Sequence, residues 1–222
     1  MPTVLVLGAS RGIGLELVRQ HRAAGDRVIA TARRPQDLQR LESMGAKALK
    51  LDVAEPASIS GLAWQLDGEK LDTAWYVAGV YSTAGATEPP TQLDFDRVMR
   101  TNVLGAMQAI PQVGPLVEAA GGRFAFISSD MGHIAGTSSS FGWLYRASKA
   151  ALNMVVKAAS HDYPGAILVA MSPGWVQTDM GGPSAPLTPA QSVSSMRRTI
   201  AALQPPASGT FLDHDGRPFD GW

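Results

Sequence analysis

The chain has 222 residues, 45% of them apolar, which is enough for one well-buried domain and short for two. Its 19 Lys and Arg balance 19 Asp and Glu, so the charge points to neither nucleic acid nor an anionic membrane as partner. The absence of cysteine excludes a disulfide framework and thiolate metal sites, and it suits a reducing compartment.

Thr3–Leu7 reads as a first strand, cut by Gly8 and Arg11. That run is too short for a signal peptide, and no stretch approaches the ~20 apolar residues that span a bilayer. A soluble, cytoplasmic chain is expected. Further strands are predicted at Arg27–Thr31, Ala46–Leu51, Leu71–Val77, Arg123–Ser128, Ala166–Ser172 and Gly209–Leu212, each rich in Val, Leu, Ile, Phe or Ala. Helices are predicted between them at Gly12–Ala24, Gln36–Met44, Pro56–Leu66, Phe95–Ala120 with a break near Pro111, Tyr145–His161 and Pro189–Leu203. Pro56 and Pro189 suit a first turn, and Gly25 and Gly45 suit helix ends. This alternation implies an α/β chain, a doubly wound parallel sheet of about seven strands with helices on both faces, as one domain over residues 1–222. Irregular stretches near 80–92, 131–144 and 176–190 follow strands, on the rim where open α/β sheets bind ligands.

Gly8-Ala9-Ser10-Arg11-Gly12-Ile13-Gly14 joins the first strand to the first helix. Glycines let a backbone approach a phosphate closely, and a helix start offers free N–H groups. The competing reading is an ordinary glycine-rich turn. Tyr145 and Lys149 stand four residues apart on a helical pattern and share one face. A free Tyr titrates near ~10. A cation beside it lowers that value and fits the phenol for general acid–base work. Alone, the pair is no more than a common helical spacing.

Together these features resemble the short-chain dehydrogenase/reductase family, with its single-domain Rossmann fold. Among its members the chain looks similar to the small C-factor-like reductases, on Tyr145-Arg146-Ala147-Ser148-Lys149-Ala150-Ala151-Leu152-Asn153 and on Gly209-Thr210-Phe211-Leu212-Asp213-His214-Asp215-Gly216. The resemblance implies reversible hydride transfer between a nicotinamide cofactor and a carbonyl or alcohol. It gives Tyr145 the proton, Lys149 the cofactor ribose and Asn102 a water-linked proton path. It selects Ser129, three residues before Gly132, as the catalytic serine, with Ser128 the fallback. The Ser129-to-Tyr145 loop is three residues longer than the family's usual spacing.

For the cofactor, the resemblance implies contacts from Gly8, Ser10, Arg11, Gly12, Ile13 and Gly14, from Asp52 and Val53 after the third strand, and from Ala78 and Gly79 after the fourth. Pro173, Gly174, Val176 and Thr178 follow the sixth strand and belong to the nicotinamide end. Asp52 reads equally as a turn aspartate. NAD-binding members carry a carboxylate at the end of the second strand. Ala32 stands there, followed by Arg33, and with Arg11 it suits the 2′-phosphate of NADP(H). Arg34 is read as a solvated loop residue.

Two departures lose polar groups. Leu7 replaces a common Thr, and Tyr76-Val77-Ala78-Gly79 replaces Asn-Asn-Ala-Gly. Leu7 and Val77 are expected to face each other in the sheet, exchanging a polar contact for an apolar one. His133 is an incidental loop residue or a substrate contact, and Asp213-His214-Asp215 reads as a turn rather than a metal site. Phe141, Trp143, Trp175 and Met180 suggest an apolar pocket. The family resemblance also implies a homodimer or homotetramer through Leu93–Ala109 and Tyr145–His161. The alternatives are a dinucleotide-binding signalling protein with little turnover, and an epimerase or dehydratase, for which little chain follows the sixth strand.

Overall fold

The computed structural model describes residues 1–222. Seven strands form one sheet in the order β3-β2-β1-β4-β5-β6-β7, all parallel. They are β1 Thr3–Leu7, β2 Arg27–Ala32, β3 Lys47–Lys50, β4 Thr73–Tyr76, β5 Arg123–Ile127, β6 Ile167–Met171 and β7 Thr210–Leu212. The helices are α1 Gly12–Ala23, α2 Pro35–Ser43, α3 Pro56–Ile59, α4 Leu62–Gln65, α5 Gln92–Met99, α6 Gly105–Glu118, α7 Trp143–Ala159 and α8 Pro189–Ala202.

Helices cover both faces, because alternate residues of each strand point opposite ways. Leu5, Leu7, Tyr76, Phe124 and Phe126 build one core with α4, α6 and α7. Val4, Val6, Trp75, Ile127 and Met171 build the other with α1, α2 and α8. The strand order reverses direction between β1 and β4, and a crevice opens there beyond the strand ends.

Several expectations need correction. The predicted helix Pro56–Leu66 is two short helices, interrupted at Ser60 and Gly61. Gly is a poor helix former, and side chains from elsewhere bond this segment. Ser58 Oγ accepts from the Asp52 N–H at 2.9 Å, and Gln112 Oε1 accepts from the Ala63 N–H at 3.0 Å. The long helix does not break at Pro111. Pro111 and Pro115 both lie inside α6, whose Ile110, Val113 and Val117 pack into the core, and packing overrides the prolines. The irregularity comes earlier, as a π-type turn over Arg100–Leu104.

Leu7 and Val77 do not face each other. Leu7 pairs in register with Tyr76 and shares its face, whereas Val77 packs against the opposite core. Their only link is through the backbone, where the Val77 N–H donates to the Leu7 carbonyl at 2.9 Å. Tyr76 carries the polar group at this strand end. Its hydroxyl donates to the Thr101 carbonyl at 2.7 Å, in the π-type turn.

The Tyr76 hydroxyl lies where a side chain on Gly105 would go, and a Cβ there would also sit 2.7 Å from the Val53 carbonyl oxygen. Gly105→Ala is therefore expected to cost about 1–3 kcal/mol through overpacking. At roughly 2–4 °C per kcal/mol for a chain of this size, a thermal melt checks it, and an unchanged Tm counts against the packing argument.

Candidate active site

The glycine loop is held from two sides. Thr31 at the end of β2 accepts the Gly8 N–H on Oγ1 at 3.0 Å, and its carbonyl accepts the Ala9 N–H at 2.8 Å. Gly8 has φ +94°, and a Cβ there would lie 2.7 Å from the Ala78 nitrogen, so β1 and β4 can continue side by side only with glycine. Gly12, at φ +51°, faces the Thr178 methyl at 3.2 Å from its would-be Cβ. Gly14 instead packs under the loop, its would-be Cβ 3.0 Å from Ala9 Cα. No side chain caps the start of α1, unlike α5 and α8, which carry Thr91 and Thr188. The start of α1 is thus available to an anion.

A cleft extends from this loop across the strand ends to Tyr145. Gly8, Ser10, Arg11, Gly12, Ile13, Arg33, Asp52, Val53, Ala78, Gly79, Tyr145, Lys149, Pro173 and Thr178 all line it. Asn102, Gly14, Gly174, Val176 and Ser129 do not. Val176 is buried, bridged to Leu187, and Gly174 makes room for the Leu187 and His214 side chains.

Tyr145, Lys149 and Asn153 occupy one face of α7. Lys149 Nζ donates to the Ile127 carbonyl at 2.7 Å and lies 5.5 Å from the centre of the Tyr145 ring. Ser128 is buried and donates to Asn153 Oδ1 at 2.6 Å, so its hydroxyl is already engaged. Ser129 caps the short turn after β5, with Oγ accepting from the Met131 N–H at 3.1 Å and donating to Asp130 Oδ1 at 3.0 Å, and it neighbours the Tyr145 hydroxyl. The Asn102 side chain is held by three hydrogen bonds. Oδ1 accepts from Val80 N–H at 2.8 Å, while Nδ2 donates to the Val80 carbonyl at 3.0 Å and to Ser148 Oγ at 2.9 Å.

The electrostatics differ from the sequence expectation. Burial, not the neighbouring ammonium, dominates Tyr145 and raises its pKa, with the Ser129 hydroxyl opposing. Burial also brings Lys149 down to about 7. Both groups are pushed toward their neutral forms.

The family model described as short chain dehydrogenase matches residues 2–186. The chain belongs to the short-chain dehydrogenase family. It is 39% identical over 143 residues to C-signal of Myxococcus xanthus, covering 63% of this chain and 84% of that one. It is 33% identical to a 1-hydroxy-2-glutathionyl-2-methyl-3-butene dehydrogenase of Rhodococcus sp. (strain AD45), over 97% of this chain and 98% of that one. An NADPH-bound carbonyl reductase from chicken fatty liver superposes with a TM-score of 0.89 at 32% identity, covering 100% of this chain and 99% of that one.

In this short-chain dehydrogenase, Arg11 and Arg33 stand on the cleft rim, Arg11 against the exposed Asp179 at 2.8 Å and Arg33 against the half-buried Asp52 at 3.4 Å. Asp52 also accepts the Ala54 N–H on Oδ1 at 3.0 Å, so the turn role and the rim position coexist. Arg34 is exposed, as a solvated loop residue is, while it borders the cleft and pairs with Asp37 at 3.3 Å. His133 faces the C-terminal segment, with Nε2 at 2.8 Å from the Asp220 carbonyl oxygen. Asp213 and Asp215 flank His214 and are both held by Arg217, at 3.2 and 2.7 Å.

Sequence reasoning missed Thr31, Asp37, Tyr81 and Asn153. Asn153 was within reach, since it continues the i, i+4 series of Tyr145 and Lys149. Thr31, a hydroxyl closing an apolar strand, gave a weaker signal, and Tyr81 in a polar loop gave none.

Lys149 titrates at about 7 here against 10.5 in the unfolded chain. Between those values the unfolded chain holds the proton and the folded chain does not, so this group makes stability rise with pH. Lys149→Met is expected to flatten that rise across pH 7 to 10.5 in urea titrations. Equal slopes in the two proteins would contradict the burial argument.

Proposed function

We propose that the chain is a cytoplasmic NADPH-dependent reductase of small-molecule carbonyls, with Tyr145 as the proton donor. The observation that carries this reading is the buried Tyr145 phenol at the end of a glycine-loop cleft, with Ser129 and Lys149 beside it. The residues fit a dinucleotide phosphate: the loop admits no Cβ at Gly8, the start of α1 has no side-chain cap, and the guanidinium groups of Arg11, Arg33 and Arg34 border the cleft. Gly8 to Ile13 and Thr178 would hold the cofactor, and Lys149 its ribose. When bound, NADPH supplies the hydride.

The chain's own residues supply the rest. Ser129 Oγ, which donates to Asp130 Oδ1 at 3.0 Å, turns its hydroxyl from that exposed partner to the substrate oxygen as negative charge develops there. The raised pKa keeps Tyr145 protonated at neutral pH, so it can deliver its proton to that oxygen. Asn102 holds Val80 and Ser148 through its side chain, and Oδ1 keeps a second lone pair for a water in the proton path. On the rim, the pairs of Arg11 and Arg33 with Asp179 and Asp52 are solvent-exposed and cost little to exchange for a 2′-phosphate. No carboxylate at Ala32 competes. The chicken enzyme, bound to NADPH by its description, supports the same cofactor. We also infer a homodimer or homotetramer, since Leu93, Leu104, Met107 and Met154 are exposed on α5, α6, α7 and the turn between α5 and α6.

The likeness to C-signal favours a second reading, a signalling protein that binds the dinucleotide with little turnover. NADPH binding without oxidation across a panel of carbonyls would select it.

Tyr145→Phe is expected to lower carbonyl-dependent NADPH oxidation by about 10²–10⁴-fold while NADPH still binds, read by absorbance and by cofactor fluorescence. Near-normal turnover in that variant would remove Tyr145 from the mechanism. Arg33→Asp is expected to lower kcat/KM for NADPH by about tenfold or more, as loss of a charged hydrogen bond does, and to raise it for NADH. An unchanged preference removes Arg33 from phosphate recognition.

A further inference from the structure

We infer that Tyr81, with Phe141 and Met131, forms a substrate-contacting aromatic wall that selects carbonyls bearing a flat, unsaturated substituent. The inference rests on Tyr145 as the proton donor and adds the class of substrate.

The Tyr81 ring stands 4.7 Å from the Tyr145 ring at an interplanar angle of 78°. Phe141 stands 6.4 Å from Tyr81 at 63°. The Tyr81 hydroxyl donates to Met131 Sδ at 3.8 Å, a weak acceptor that anchors the ring rather than marking a polar subsite. Tyr145 lines the glycine-loop cleft, whereas Tyr81, Met131 and Phe141 lie outside it. Because Tyr81 packs edge-on against Tyr145 at the end of the cleft, a carbonyl whose oxygen reaches Tyr145 has this ring as its neighbour.

The wall is built from two loops fastened together. The Gly142 N–H donates to the Thr83 carbonyl and the Trp143 N–H to the Ala84 carbonyl, both at 3.3 Å. Arg146 is engaged as well, with Nε donating to the Phe141 carbonyl at 2.9 Å. Phe141 is 52% exposed, a large aromatic surface left unburied in a braced position. Aromatic faces and edges prefer another π system in offset or edge-on contact, which a saturated ring cannot offer.

The test compares acetophenone with cyclohexyl methyl ketone, which share a carbon skeleton and differ in flatness. The ratio of their kcat/KM values cancels most effects unrelated to the wall. Tyr81→Ala is expected to lower the aryl-to-cyclohexyl ratio by about tenfold, the scale of one pocket contact, while Tyr81→Phe retains it. Phe141→Ala should lower it too, and that variant keeps the test open if Tyr81→Ala does not fold. The ratio of dissociation constants, measured by ligand-observed NMR with NADPH present in the Tyr145→Phe background, reads the wall without turnover. A binding preference without wild-type turnover would sink the reductase reading and leave the wall standing. An unchanged ratio in Tyr81→Ala and Phe141→Ala, or an equal loss in Tyr81→Phe, overturns the wall.

Discussion

The grip of α7 on the end of β5 is the constraint on which the site depends. Lys149 Nζ takes the Ile127 carbonyl, Asn153 takes the Ser128 hydroxyl, and Gly132 lets the following turn press against the Lys149 backbone. A buried ammonium and a buried amide are costly unless bonded, so both must find these backbone and hydroxyl partners when the helix docks. Docking leaves Ser129 as the serine beside Tyr145. One helix face thus sets Tyr145, its neighbouring hydroxyl and the strand end together.

The same burial that secures this geometry sets the proton chemistry. Low polarity around Tyr145 and Lys149 favours the uncharged form of each. A neutral phenol is an acid poised to donate, and a lysine near neutrality can hold a hydrogen bond without a large charge penalty. The Tyr145–Lys149 pair is then better described as two desolvated donors than as an anion stabilised by a cation.

Much of this was legible in the residues. Alternating strand and helix patterns carried the sheet and its helices, because period-2 and period-3.6 apolar spacing survive packing. The glycine loop and the Tyr145–Lys149 spacing were legible for the same reason, since both are local. What was not legible depended on contacts between distant segments. The break in Pro56–Leu66 follows from bonds to Asp52 and Gln112, and the straight passage of Pro111 follows from the core beneath α6. The fate of Leu7 and Val77 turned on register, and a one-residue offset put them on opposite faces. Tyr81 was invisible because its meaning comes wholly from the ring it meets.

Tyr76 and Gly105 also tie the history of two positions together. The phenol fills the space that the glycine leaves, and its hydroxyl serves a carbonyl in the turn that carries Asn102. A larger residue at 105 cannot be accepted while Tyr76 remains, and a smaller one at 76 leaves a void and a buried carbonyl without its donor. Neither position can drift alone, so the pair is expected to vary among descendants in step, as an epistatic unit rather than two sites.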